Sequence, residues 1–137
     1  MKTFWTVCLL WVSLWADETD TTLRLYNKIV GALTNGHTEV RLYTDSHEIR
    51  TALRGRYRIV DTLTKADVAI VHRLQAPTGC HPIVFATSLA TLEDNPDVVG
   101  ALFWKKGRVQ LLFIDRRLQQ CGVQLPPFLQ RYSIEAL

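Results

Sequence analysis

The sequence predicts an α/β domain: a three-layer sandwich with a mixed, mostly parallel sheet, helices on both faces and an antiparallel hairpin added late in the chain. Three observations predict it. Segments with helical and strand periodicity alternate along the chain. Two runs, Ala66–Val71 and Ile83–Thr87, are almost continuously apolar, as strands are when both of their faces are covered. Val98–Ile114 reads as two β-rich segments around Lys105-Lys106-Gly107-Arg108, a hairpin signature with Gly107 in the turn.

Taken in order, Thr21–Leu33 places Leu23, Tyr26, Ile29, Val30 and Leu33 at helical spacing, with Asp20 as a start cap and Asn35-Gly36 as a stop. Glu39–Tyr43 is a short strand with Val40 and Leu42 on one face. Asp45, with Glu48 three residues on, forms a variant capping box for a helix reaching Arg54 and stopped by Gly55. Tyr57–Val60 is a second strand, followed by the two central runs. Ser88 caps a short helix that Asn95-Pro96 terminates. In the hairpin, Leu102 and Trp104 alternate with Ala101 and Phe103, and Val109, Leu111 and Phe113 with Gln110, Leu112 and Ile114. Both faces are apolar, so both are expected to be covered. Asp115 can cap a helix to Cys121, with Gly122 at its end, and Pro126-Pro127 opens a last helix carrying Phe128, Leu129 and Tyr132.

The first residues read as an address. Lys2 precedes the uncharged, mostly apolar stretch Thr3–Trp15, then Ala16 and the acidic Asp17, Glu18 and Asp20. This is the secretory-signal pattern, and the stretch is too short for a bilayer core of about 30 Å, which needs about 20 residues. A buried first element and a short retained anchor are the alternatives. The expected organisation is a signal peptide over 1–16 and one domain over 17–137, working in the periplasm. Cys80 and Cys121 then fall in an oxidising compartment, where an even pair fits a disulfide. Two free thiols too far apart to join is the other reading.

A formal net charge of +3 is too weak to point to nucleic acid or an anionic membrane as partner. The scattered glycines form no phosphate loop or dinucleotide spacing, and no Gly-x-Ser-x-Gly elbow is present. His72, Cys80 and His81 match no standard zinc spacing, so neither metal nor cofactor is expected. The best candidate site is the loop Arg73–His81, because ligands of parallel sheets bind beyond the carboxyl ends of strands. Arg73, with the amides near Ser88, can hold an anion at a helix start. An ordinary surface loop with Ser88 as a structural cap explains the same residues. Lys105, Lys106, Arg108, Arg116 and Arg117 cluster locally. They read either as a solvated tip that discourages edge-to-edge aggregation or as a patch for an acidic partner. Phe103 and Trp104 read as core, or as a partner surface.

Several segments together resemble a known family. They are Leu25-Tyr26-Asn27; Asp67-Val68-Ala69-Ile70-Val71; Pro82-Ile83-Val84-Phe85-Ala86-Thr87-Ser88; Val99-Gly100-Ala101; Gly107 through Asp115; and Cys121-Gly122-Val123 followed by Leu125 to Tyr132. In this order they resemble the YfiR-like family of bacterial periplasmic proteins, with Asp115 where the family carries Asn. The resemblance implies a non-catalytic periplasmic α/β domain that regulates an inner-membrane signalling protein, either a diguanylate cyclase or a histidine kinase. It offers no catalytic residues to carry over, and a homodimer is compatible with it. A small-anion-binding protein of the periplasm is the alternative.

Overall fold

The computed structural model describes residues 22–37 and 39–137. The expected leader over 1–16 and the Asp20 cap lie outside the described residues. The elements are α1 (22–33), β1 (Arg41–Thr44), α2 (His47–Leu53), β2 (Arg58–Ile59), a 3₁₀ turn (Leu63–Lys65), β3 (Val68–Val71), β4 (Ile83–Ala86), α3 (Leu89–Asp94), β5 (Val98–Lys105), β6 (Arg108–Ile114), α4 (Asp115–Gln120), α5 (Pro127–Gln130) and β7 (Ser133–Ile134). Among the described residues the strands form one seven-stranded sheet in the order β2-β1-β3-β4-β5-β6-β7. β1 to β5 run parallel; β6 is antiparallel to β5, and β7 is parallel to β6. The α/β sandwich with its late antiparallel hairpin is therefore what forms.

Two apolar clusters, one on each face of the sheet, account for the three layers. On one face Tyr26, Ile29, Val30 and Leu33 of α1 and Ile49 and Leu53 of α2 pack on Leu42, Val68, Ile70, Phe85 and Phe113. Phe85 lies 6.4 Å from Tyr26, edge to face, and 5.7 Å from Phe113, so three aromatic rings tie α1 to the sheet across β4 and β6. On the other face Leu92 of α3 packs on Ala69, Val71, Val84, Ala86, Val98 and Ala101, with Leu63 of the 3₁₀ turn alongside. All four residues of β3 are buried, as the continuous apolar run predicts.

The hairpin turns through Lys106 (φ 52°) and Gly107 (φ 75°), the two successive left-handed residues of a tight primed turn. At Gly100 an added Cβ would lie 2.7 Å from the Leu112 carbonyl oxygen and 2.8 Å from a Phe113 ring carbon, so the β5–β6 pairing closes only over a glycine.

Several expected details differ. β1 starts at Arg41 rather than Glu39, and β2 keeps only Arg58–Ile59. The cap of α2 is Ser46, whose Oγ accepts the Ile49 amide at 3.3 Å. Asp45 does not cap, because its carboxylate is taken by amides beyond β3. Asp115 lies inside the first turn of α4 and accepts from Gln119 instead of capping. Tyr132 falls after α5, and the two-residue strand β7 follows it, too short to have a periodicity. The hairpin is fully buried only at its root: Ala101, Leu102, Phe113 and Ile114 are buried, Phe103, Val109, Leu111 and Leu112 are half-buried against the two clusters, and Trp104 is 54% exposed.

Candidate functional site

A cleft of about 1270 Å³ opens at the carboxyl ends of β1 and β3. Its position follows from topology. The chain leaves β1 for β2 on one side and returns to β3 on the other, so the strand order reverses between β1 and β3. In open α/β sheets that reversal parts the connecting segments and leaves a crevice for ligands. The walls are Thr22, Leu23 and Tyr26 from the start of α1, Glu48 and Ile49 from α2, and Leu102 and Trp104 from β5. The floor is the pair of strand ends, Asp45-Ser46 and His72-Arg73.

The floor is built by mutual hydrogen bonding. Both Asp45 carboxylate oxygens accept the His72 amide at 2.9 Å, and one accepts the Arg73 amide at 3.3 Å. The His72 ring Nδ1 shares a hydrogen bond with the Thr87 hydroxyl at 3.1 Å. The Thr91 hydroxyl donates to the His72 carbonyl. The His72 backbone is thus held from the residue after β1 and from α3, and its ring from the segment after β4. Behind it, the Arg50 guanidinium donates to the Thr44 carbonyl at 3.1 Å and fastens α2 to the end of β1. Arg73 differs: it lines the cleft, is exposed, and its guanidinium has no hydrogen bond or ion pair among the described residues. An arginine fixed at its backbone and free at its head can pair bidentately with a carboxylate or phosphate.

Electrostatics separate this rim from its wall. Burial pushes the Tyr26 phenol up to about 12, so Tyr26 meets the cleft as a neutral aromatic at any physiological pH. At the opposite end of the same strands, Asp67 accepts from the Arg41 side chain and backbone amide, which holds its carboxyl below the usual range. That pair clamps β1 to β3 and lies away from the cleft. Arg117 also serves the scaffold rather than the basic cluster. Its Nη1 donates to the carbonyls of Leu92 (2.8 Å), Asn95 (3.1 Å) and Val98 (2.9 Å), and burial lowers its pKa.

The residues singled out from the sequence are placed as follows. Arg73 lines the cleft at the end of β3. Ser88 does not line the cleft: its Oγ accepts the Thr91 amide at 3.3 Å and donates to the Thr91 hydroxyl at 2.8 Å, and α3 behind it is only six residues long. Cys80 and Cys121 form a disulfide with Cα atoms 5.2 Å apart, which pins the loop after β3 to the end of α4 and fits an oxidising compartment. His72, Cys80 and His81 do not gather into a ligand set, and no group of three or more metal-ligating side chains occurs among the described residues. Among those residues no helix is long and apolar enough to cross a membrane. Sequence reasoning missed Asp45, Tyr26 and Trp104 as parts of the site. Asp45 was findable, since it directly follows a strand whose carboxyl end faces the cleft, but a capping role explained the same residue. No family model, curated protein or solved structure matches the chain.

Proposed function

We propose that this chain is a periplasmic sensory domain of the YfiR-like kind, non-catalytic, which takes a small anionic ligand in the β1/β3 cleft and regulates an inner-membrane signalling protein such as a diguanylate cyclase or histidine kinase. One observation carries the reading: an exposed arginine, unpaired among the described residues, lines a large cleft at the point where strand order reverses. The other polar groups of the floor support binding rather than turnover. Asp45 is engaged with amides and His72 with Thr87, so these groups serve to position Arg73. The disulfide supports the compartment, and the order of motifs supports the regulatory role.

Thermal-shift screening of the purified protein against a panel of small carboxylates and phosphates tests this. A true ligand at about 100 times its Kd adds about 2.7 kcal/mol, which for a domain of this size raises Tm by roughly 8–15 °C. Arg73→Ala is expected to keep the fold and lose the shift. No shift with any anion, or an equal shift in Arg73→Ala, would overturn the cleft reading. In the alternative, ligand capture is the whole function and the protein binds anions without a partner. Repeated affinity capture from membranes that recovers no inner-membrane protein, with ligand binding intact, selects that alternative.

A further inference from the structure

We propose that the β5–β6 arm is a membrane-surface contact that seats Trp104 in the headgroup layer of an anionic phospholipid bilayer. The tip of the arm outruns its neighbour β4. The last β4–β5 pair is Ala86 with Ala101, whereas β5–β6 pairing continues out to Lys105 with Arg108, so the distal residues project past the carboxyl edge of the sheet. The primed turn through Lys106 and Gly107 matches the twist of the two strands it joins.

Its chemistry is one-signed. Between Val98 and Ile114 there is no Asp or Glu. Lys105, Lys106 and Arg108 are exposed and form no ion pair with another described residue. Directly behind these cations sits Trp104, 54% exposed, on the same face as its cross-strand partner Val109. An amphipathic indole next to a ring of cations matches the bilayer interface, where tryptophan rests at headgroup level and lysine or arginine meets lipid phosphates.

An acidic protein face would satisfy the charges equally well. However, a specific protein interface takes about 20–30 residues a side, and this tip is the single turn from Trp104 to Val109. A point contact of that size suits a surface of uniform charge. The inference goes beyond the cleft reading and does not depend on any ligand.

The test is co-sedimentation of the protein, purified in the form its host exports, with vesicles of phosphatidylcholine alone or with about one third phosphatidylglycerol. Binding is expected only to the anionic vesicles, weakening as salt is raised to about 0.5 M because screening shortens the reach of the charges. Trp104 is the only tryptophan outside residues 1–16, so a blue shift of its emission on the anionic vesicles is expected as it leaves water. The double variant Lys105→Glu/Arg108→Glu, exposed at both positions, is expected to keep its circular dichroism and bind at least about tenfold more weakly. Absence of binding to anionic vesicles, equal binding by the double variant, or salt-sensitive binding to an acidic protein without binding to vesicles would overturn the proposal. None of these outcomes bears on the Arg73→Ala measurement in solution, so the two readings fail separately.

Discussion

Asp45 sets where Arg73 begins. Its carboxylate accepts the amides of both His72 and Arg73, and those bonds aim the chain at the moment it leaves β3. Charged acceptors on backbone amides are stronger than neutral ones, but these amides are exposed and water can replace part of the loss. Asp45→Ala is therefore expected to cost only about 1 kcal/mol in denaturant unfolding. Its larger effect should fall on affinity for any cleft anion, measured by titration with the same ligand that Arg73→Ala abolishes. If affinity were unchanged, Asp45 would be a structural tie alone. A capping-box pattern pointed at the same residue and named the wrong role. Two short polar side chains in succession, Asp45 and Ser46, can each start the helix, and the choice between them rests on His72 and Arg73, nearly thirty residues away.

At the scale of elements, Arg117 joins three of them. Its guanidinium, carried by α4, satisfies carbonyls at the end of α3, in the Asn95 turn and at the start of β5. The Leu92 carbonyl lies in the last turn of α3 with no helical continuation, and the Asn95 carbonyl also accepts the Val98 amide at 3.1 Å, so Arg117 adds an outside donor that ties the α3 terminus to β5. Arg117→Met keeps the aliphatic stem and removes the donors. Removing these charge-assisted bonds from part-buried carbonyls is expected to cost about 2 kcal/mol, read as a fall in the denaturant midpoint at unchanged slope. A fall no greater than that of an exposed control such as Arg116→Met would show that water satisfies these carbonyls. Local charge density placed Arg117 with the hairpin cations; only the approach of α4 to α3 separates them.

For the molecule as a whole, the Cys80–Cys121 bond joins the loop after β3 to the end of α4, residues 41 apart in sequence. In the chain-entropy model, closing a loop of that length stabilises by roughly 4 kcal/mol, a large share of the stability of a domain of this size. Cys80→Ser/Cys121→Ser is expected to lower stability by about that amount in chemical unfolding, with secondary structure retained at low temperature. A loss under about 1 kcal/mol would mean that the hydrophobic layers hold the loop unaided. The bond also bounds the loop that carries Arg73, so the same variant is expected to raise hydrogen exchange over residues 73–81 before any other segment.

By itself the sequence determined the class of fold, the central strands, the hairpin and its turn, the Ser88 cap and the cysteine pair, because each depends on local periodicity, on one residue's backbone freedom or on a count. It also put Arg73 at the end of a central strand. It did not determine the cleft. Tyr26, Asp45, Arg73 and Trp104 come from four separate segments, and they meet only because β3 returns beside β1 and the arm outruns β4. The exposure of Trp104 was decided in the same way: alternation makes an indole look like core, and only the packing of distant segments says where the core stops. Contacts between distant segments obey burial and closure of the whole sheet, and no window of neighbouring residues contains that information.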